Sequence, residues 1–155
     1  MPDSPTDPEP RPVVAAAILD SLEDPTTLLC ASRAYPAGLR GRFELPGGKI
    51  EDEEEPLEAL CREIAEELGT TLLIGPEVSA PDGGWWPILQ GRHMGVWLAE
   101  VAPTFPAPRR GASHLELRWV PLDLVGSLDW IGRDLEIALA AVAAARARAS
   151  HGEAH

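Results

Sequence analysis

From Glu44 to Glu67 the chain carries ten acidic residues and only two cations, Lys49 and Arg62, a local net charge of −8 out of −12 for all 155 residues. Like charge at this density works against compaction. The fold must keep these groups in water or match them with a counter-charge. Gly47-Gly48 permits a tight turn and close backbone approach. An acidic loop follows, and then a pattern that predicts a helix over about 56–68. Pro56 suits the first helical position, Glu58 falls at N3 below a Glu55 cap, and Gly69 suits the left-handed position past the end. Leu57, Leu60, Cys61, Ile64 and Leu68 form the expected apolar stripe. Glu58, Arg62, Glu63, Glu66 and Glu67 fall on the opposite face.

Glu63, Glu66 and Glu67 are three and four residues apart, so their carboxylates neighbour one another at a cost of a few tenths of a kcal/mol per pair. Arg62 offsets part of this by pairing with Glu66. A divalent cation would turn the repulsion into binding, because carboxylate oxygens are hard ligands suited to Mg²⁺ or Mn²⁺. From the helix alone, a solvated acidic face is the commoner explanation.

The rest of the chain bounds the fold. The length suggests one domain with a proper core. The apolar fraction of 45% and charged fraction of 25% are ordinary for a globular protein. A pI near 4.6 argues against a nucleic acid polymer as partner, but not against small phosphorylated ligands. Cys30 and Cys61 sit in apolar runs and read as two buried free thiols. No stretch reaches the ~18 apolar residues of a membrane helix. The acidic, Pro-rich "MPDSPTDPEPRP" is neither a signal nor a transit peptide. A cytoplasmic protein with no membrane partner is the expectation.

Residues 1–12 read as a disordered tail, 13–148 as the domain and 149–155 as a frayed end. "VVAAAILD" and "LLCASR" are strands of an expected hairpin. "TTLLIG", "HMGVWLAEV" and "LELRWV" read as further strands, and an Ala-rich helix covers about 132–148.

The acidic stretch then becomes specific. From Gly48 it reads five residues, Glu54, seven residues, Arg62-Glu63-Ile64, one residue, Glu66-Glu67, one residue, Gly69. This resembles the Nudix box, G-x5-E-x7-R-E-u-x-E-E-x-G-u, with u apolar. Every charged and glycine position is filled, and only the last apolar slot departs, as Thr70. Seven fixed positions coincide by chance in on the order of one chain in 10⁵. "FELPGGKIEDEEE", "LLCASR" and "LELRWVPLDLVGSLDW" extend the likeness to MutT-type members over about residues 13–145.

The resemblance implies an α/β fold, an α/β/α sandwich around a mixed sheet. It implies Mg²⁺-dependent hydrolysis of a nucleoside triphosphate to the monophosphate and pyrophosphate, Mn²⁺ being able to substitute. It implies Glu63, Glu66 and Glu67 as metal ligands with the Gly48 carbonyl, Arg62 as their orienter and Glu54 as a brace or water-positioning group. Arg33, Glu44 and Lys49 are candidate substrate contacts.

Ser113 stands where many relatives carry a glutamate implicated in metal binding or as base. A hydroxyl does neither job well. Glu116, Glu54, Glu44 or a metal-held water is expected to serve instead. Asp134, in the first turn of the last helix, is the candidate for reading the base. An ionised Asp accepts hydrogen bonds only, which suits cytosine or 8-oxoguanine ahead of thymine.

Trp97 and Trp119 are expected in the core. For Trp85 and Trp86, base stacking and a homodimer contact are both open. The histidines have no metal-ligand spacing and no expected role. Two other functions stand beside this one: hydrolysis of a linked nucleoside diphosphate such as ADP-ribose, and a Nudix-fold binding module without turnover.

Overall fold

The computed structural model describes the backbone of residues 11–153 and the side chains of 11–150. The elements run β1 (Val13–Leu19), β2 (Thr27–Arg33), β3 (Phe43–Glu44), β4 (Gly47–Lys49), α1 (Pro56–Leu68), β5 (Leu72–Glu77), β6 (Trp86–Pro87), β7 (His93–Val101), β8 (His114–Pro121) and α2 (Asp134–Glu153). Most of the disordered tail expected over 1–12 lies outside the described residues, as does the last part of the frayed end expected over 149–155. The helix itself runs on to Glu153.

All eight strands join one mixed sheet. Its main order is β3-β2-β1-β7-β5, with β8 on β2, β4 on β1 and β6 on β7. β1 is the central strand, and it alternates between two cores. Ala15, Ala17 and Leu19 pack in the cluster that includes Ile137, Ala138 and Ala141 of α2. Val14, Ala16 and Ile18 pack in the one that includes Leu60, Ile64 and Leu68 of α1. A strand buried on both faces reads as a continuous apolar run, which "VVAAAIL" is. The result is the expected α/β/α sandwich around a mixed sheet.

The expected hairpin over 13–33 forms only at its base. β1 and β2 pair at Leu19 and Leu28 and then splay apart. Residues 43–49 cross the opening. β3 pairs with β2 at Ala31 and Ser32, Ala16 N–H donates to the Pro46 carbonyl at 2.9 Å, and β4 pairs with β1 from Val13 to Ala15. β1 spends its other edge on seven parallel pairs with β7. This split positions the site.

Helix α1 has the ends its sequence predicts. Glu55 N–H donates to the Glu58 carboxylate at 2.9 Å, and Gly69 adopts φ 66°, ψ 28° with its N–H on the Ala65 carbonyl. Its rotation differs from the expected stripe. Ala59, Leu60, Ile64 and Leu68 are buried, whereas Leu57 and Cys61 face solvent. The sheet beneath this end of the helix is the bare glycine backbone of β4, which leaves room for carboxylates instead of apolar groups. Glu63 and Glu67 therefore sit on the sheet-facing flank, their side chains 17% and 23% exposed, and not on the solvent face.

Other core expectations also need correcting. Cys30 is buried, and burial pushes its thiol up to about 12, but Cys61 is exposed. Trp119 is 41% exposed and so is not part of the core. Trp86 is the buried indole of its pair and donates to the Val78 carbonyl at 2.9 Å. Trp85 stacks edge-on against the half-buried Trp97 at 5.9 Å. Thr70, the departure in the acidic motif, is buried with its hydroxyl donating to the Pro106 carbonyl at 2.5 Å. That bond removes the cost of a polar group in an apolar slot.

Candidate functional site

The two glycines of β4 are fixed by what lies against them. A Cβ on Gly47 would strike the Val14 carbonyl and the Ala15 backbone, and one on Gly48 would strike the Glu63 carboxylate. Only glycine lets β4 lie this close to both β1 and α1. The backbone of Gly48 and the side chain of Glu63 are thereby in contact.

Arg62 organises the outer half of the cluster. Its Nε and Nη2 donate to the two oxygens of Glu54 at 2.8 and 3.0 Å, a bidentate fork that a lysine could not make. Nη1 reaches Glu63 at 3.1 Å and Glu66 at 3.4 Å. Nη2 also donates to the Lys49 carbonyl at 3.2 Å, tying α1 to the end of β4. The guanidinium holds the Glu54 carboxyl well down, to about 2. Glu54 in turn accepts the Glu51 N–H at 3.0 Å. It is a brace for the acidic loop.

Glu67 is in the opposite situation. Burial, a hydrogen bond with Glu63 and the charges of Glu63 and Glu44 push its carboxyl up to about 8. A cation placed beside this buried, crowded carboxyl would favour its ionised form again. Among the described residues no group of three or more His, Cys, Asp or Glu closes into a ready cage for an ion. The donor set nevertheless fits a hard divalent cation, because Mg²⁺ is ordinarily held by one or two carboxylates and completes its shell with water and phosphate oxygens. Glu63, Glu66, Glu67 and the Gly48 carbonyl, the groups expected from the sequence, are the ones that would hold it. Glu66, 61% exposed, keeps its contact with Arg62 at 3.4 Å, and together with Glu67 it borders a neighbouring groove lined by Arg109 and Arg110.

Beside these groups opens a cleft of about 340 Å³, within the range of small-ligand pockets. Of the residues singled out by sequence, it gathers Arg33, Glu44, Gly48, Lys49, Glu67, Ser113 and Asp134. Val13, Leu45, Ile88, Met94 and Ile131 supply an apolar wall. Glu54, Arg62, Glu63 and Glu66 are not on its surface. Arg33 donates to the Tyr35 carbonyl at 3.0 Å, and its Nη1 lies 3.5 Å from Glu44. Lys49 is exposed at the rim.

Asp134 comes to the cleft because the chain before α2 is pinned to β3. Phe43 N–H donates to the Asp129 carbonyl and Ile131 N–H to the Phe43 carbonyl, at 2.8 and 2.9 Å. One Asp134 oxygen accepts the Leu45 N–H at 3.0 Å. Burial, aided by the charge of Glu44 and opposed by that N–H, raises its carboxyl to about 6.

Two features escaped the sequence. His114, given no role, is fully buried with Nε2 3.1 Å from Glu44 and 4.0 Å from Glu67. Tyr35, 55% exposed, stands in the cleft with the Arg33 guanidinium 5.6 Å from its ring. Neither Trp85 nor Trp86 lines the cleft, so the base-stacking role left open for them does not fit. Glu116, one candidate to replace Ser113, is engaged by Arg118 at 3.0 and 3.1 Å and lies off the cleft. A polar residue at a strand end carries no periodic signal, which is why His114 could not be tied to α1 or β3 in advance.

Helix α1 thus sets its glutamates against the glycines of β4 at the edge of the cleft. A family model for the NUDIX domain matches residues 9–139, and the chain belongs to that family. Its members generally use divalent metal ions. A Mycobacterium tuberculosis protein named "Putative 8-oxo-dGTP diphosphatase 2" is 36% identical over 125 residues, 79% of this chain and 81% of its own. The Escherichia coli "CTP pyrophosphohydrolase" is 32% identical over 108 residues, 68% of this chain and 73% of its own. The solution structure of the E. coli ORF135 protein superposes with a TM-score of 0.65 at 27% identity, over 86% of this chain and 89% of that one. No described helix is long and apolar enough to cross a membrane.

Proposed function

We propose that this chain hydrolyses a nucleoside triphosphate to the monophosphate and pyrophosphate with Mg²⁺, and that its substrates are CTP or dCTP, 5-methyl forms included, or 8-oxo-dGTP. The observation that carries this is the make-up of one cleft. Glu67, Gly48, the cations Arg33 and Lys49, an apolar wall and Asp134 all line it. A nucleotide needs those three kinds of surface, with phosphates among the cations and the base against Asp134. The names of the relatives support it, since both are nucleoside triphosphate hydrolases by description.

A divalent cation bound at Glu63, Glu66, Glu67 and Gly48 would supply the positive charge that lets a polyphosphate approach these carboxylates and would polarise a phosphoryl oxygen. The protein's own groups do the rest. Arg62 and Glu54 hold the glutamates in register. Arg33 and Lys49 offer charge to the outer phosphates. Water attack on the β-phosphorus breaks its bond to the bridging oxygen on the α side and leaves pyrophosphate and the monophosphate. Asp134 spends one oxygen on Leu45 and keeps the other for a donor on the base edge. The exocyclic amine of cytosine and the N–H edge of 8-oxoguanine both qualify.

The test is a panel of nucleotides with Mg²⁺, reading pyrophosphate against orthophosphate. Pyrophosphate from CTP-type substrates or 8-oxo-dGTP, with dTTP poor, is expected. Turnover of linked diphosphates alone would replace this function, and no turnover at all would leave a binding module. Asp134→Ala should raise KM and flatten base preference with pyrophosphate still released. An unchanged preference profile removes Asp134 from the pocket.

A further inference from the structure

His114 opens β8 opposite Arg33, where the pairing with β2 slips register between Ser32 and Arg33. Its side chain is 1% exposed. Nε2 faces the Glu44 carboxylate at 3.1 Å and therefore carries the proton and donates. Nδ1 is buried without a partner. A buried polar atom left unpaired is uncommon and asks for a reason. An aliphatic side chain would fill this place without leaving a polar atom unpaired, so packing does not account for the imidazole.

The second contact gives the reason. The same Nε2 lies 4.0 Å from Glu67, so the carboxylates of β3 and α1 face one small space although they come from different layers. Arg33 meets the same Glu44 oxygen at 3.5 Å, which leaves the other oxygen of that carboxylate to face the cleft. Ser113, next to His114, lines the same cleft with only a hydroxyl.

We propose that His114 is a positioning residue that holds Glu44 against Glu67, so that Glu44 supplies from the sheet side the anionic oxygen that Ser113 lacks. This rests on the reading that the Glu63–Glu67 face binds a divalent cation. Were the imidazole merely structural, its removal would weaken the fold and leave cation affinity alone.

Mn²⁺ binding to the nucleotide-free protein, followed by the EPR signal of free Mn²⁺, separates the two, with thermal melts alongside. His114→Leu and Glu44→Gln should each weaken Mn²⁺ binding by about tenfold, the scale expected when a supporting partner of a metal site is lost. The double variant should be no weaker than either single one. His114→Gln, whose amide N–H can stand in for Nε2–H, should recover most of the affinity. kcat for a triphosphate should follow the same order, with KM nearly unmoved.

Wild-type Mn²⁺ affinity in His114→Leu overturns the proposal, as does wild-type affinity in Glu44→Gln or no Mn²⁺ binding by the wild type. If His114→Leu does not fold, Glu44→Gln and His114→Gln decide. Normal Mn²⁺ titrations with no nucleotide turned over would instead count against the proposed reaction and leave this inference standing.

Discussion

Glu67 is the side chain on which burial and charge press hardest, and a neutral amide should be welcome there. Glu67→Gln should keep the fold, with stability held or raised slightly, because it removes one of several crowded charges. Turnover should fall by more than ~100-fold, beyond the roughly 10–100-fold lost with an outer-shell partner of a metal site. Steady-state kinetics in Mg²⁺ beside a thermal melt check both halves, and a fully active variant refutes the ligand assignment. Ser113 should matter little. Among the described residues its hydroxyl has no hydrogen-bond partner, and its carbonyl, which any residue would present, is what accepts the Ala34 N–H at 3.0 Å. Ser113→Ala should be nearly silent, and a loss beyond about tenfold, or ~1.4 kcal/mol, would mean the hydroxyl has a job. At this scale the acidic residues were legible because their spacing is helical and their order specific. His114 and Tyr35 were not, because what matters for each is a neighbour brought in by β3 or by the cleft wall, and no local pattern encodes that.

At the scale of elements, the contact between β4 and α1 separates the two glycines. Gly47→Ala would press a methyl into the backbone of β1, which cannot step aside, so it should destabilise by at least the ~1–3 kcal/mol typical of overpacking. Gly48→Ala presses instead on the far end of the Glu63 side chain, which can swing. It should fold nearly as well as the wild type but lose activity by tenfold or more, roughly 1.4 kcal/mol, because Glu63 leaves its place. Chemical denaturation and kcat measured on both variants test this, and equal losses of stability would sink it. The ends of α1 could be read from Pro56, Glu58 and Gly69, since capping is local chemistry. Its rotation could not. Leu57 and Cys61 look like core in a helical wheel, yet the ground beneath the helix at Glu63 is glycine backbone, and only the tertiary structure reveals that. The same holds for the hairpin. Two apolar strands beside a turn predict full pairing, but the crossing of 43–49 takes the space that longer β1–β2 pairing would fill.

Across the whole molecule the titrating groups pull in opposite directions, and their signs fix how stability follows pH. Glu54 is lowered from 4.5 to about 2 by Arg62. Its contribution is present above pH 4.5 and is lost as pH falls through 2. Glu67 is raised from 4.5 to about 8, first by burial and then by its carboxylate neighbours. Asp134 is raised from 3.8 to about 6, first by burial and then by Glu44, against the Leu45 N–H. For both, the folded state favours the protonated acid, so stability is greatest below the unfolded value and is lost as pH rises through the folded one. The cation-free protein should therefore be most stable near the bottom of that window and should melt progressively earlier as pH climbs toward 8. Mg²⁺ reverses the Glu67 part, because it competes with protons for the same oxygens and binds best when they are ionised. At a hundredfold excess over its Kd it adds ~2.7 kcal/mol, or roughly 5–10 °C in Tm for a domain of this size. Melting curves from pH 4.5 to 8.5, in EDTA and in Mg²⁺, should thus diverge as pH rises. Glu67→Gln in EDTA should show a shallower fall than the wild type. An EDTA curve that is flat or rising, or a Mg²⁺ increment equal at pH 5 and pH 8, would show that the carboxylates are not frustrated by one another, and the counter-charge would no longer be needed to explain why the chain gathers them.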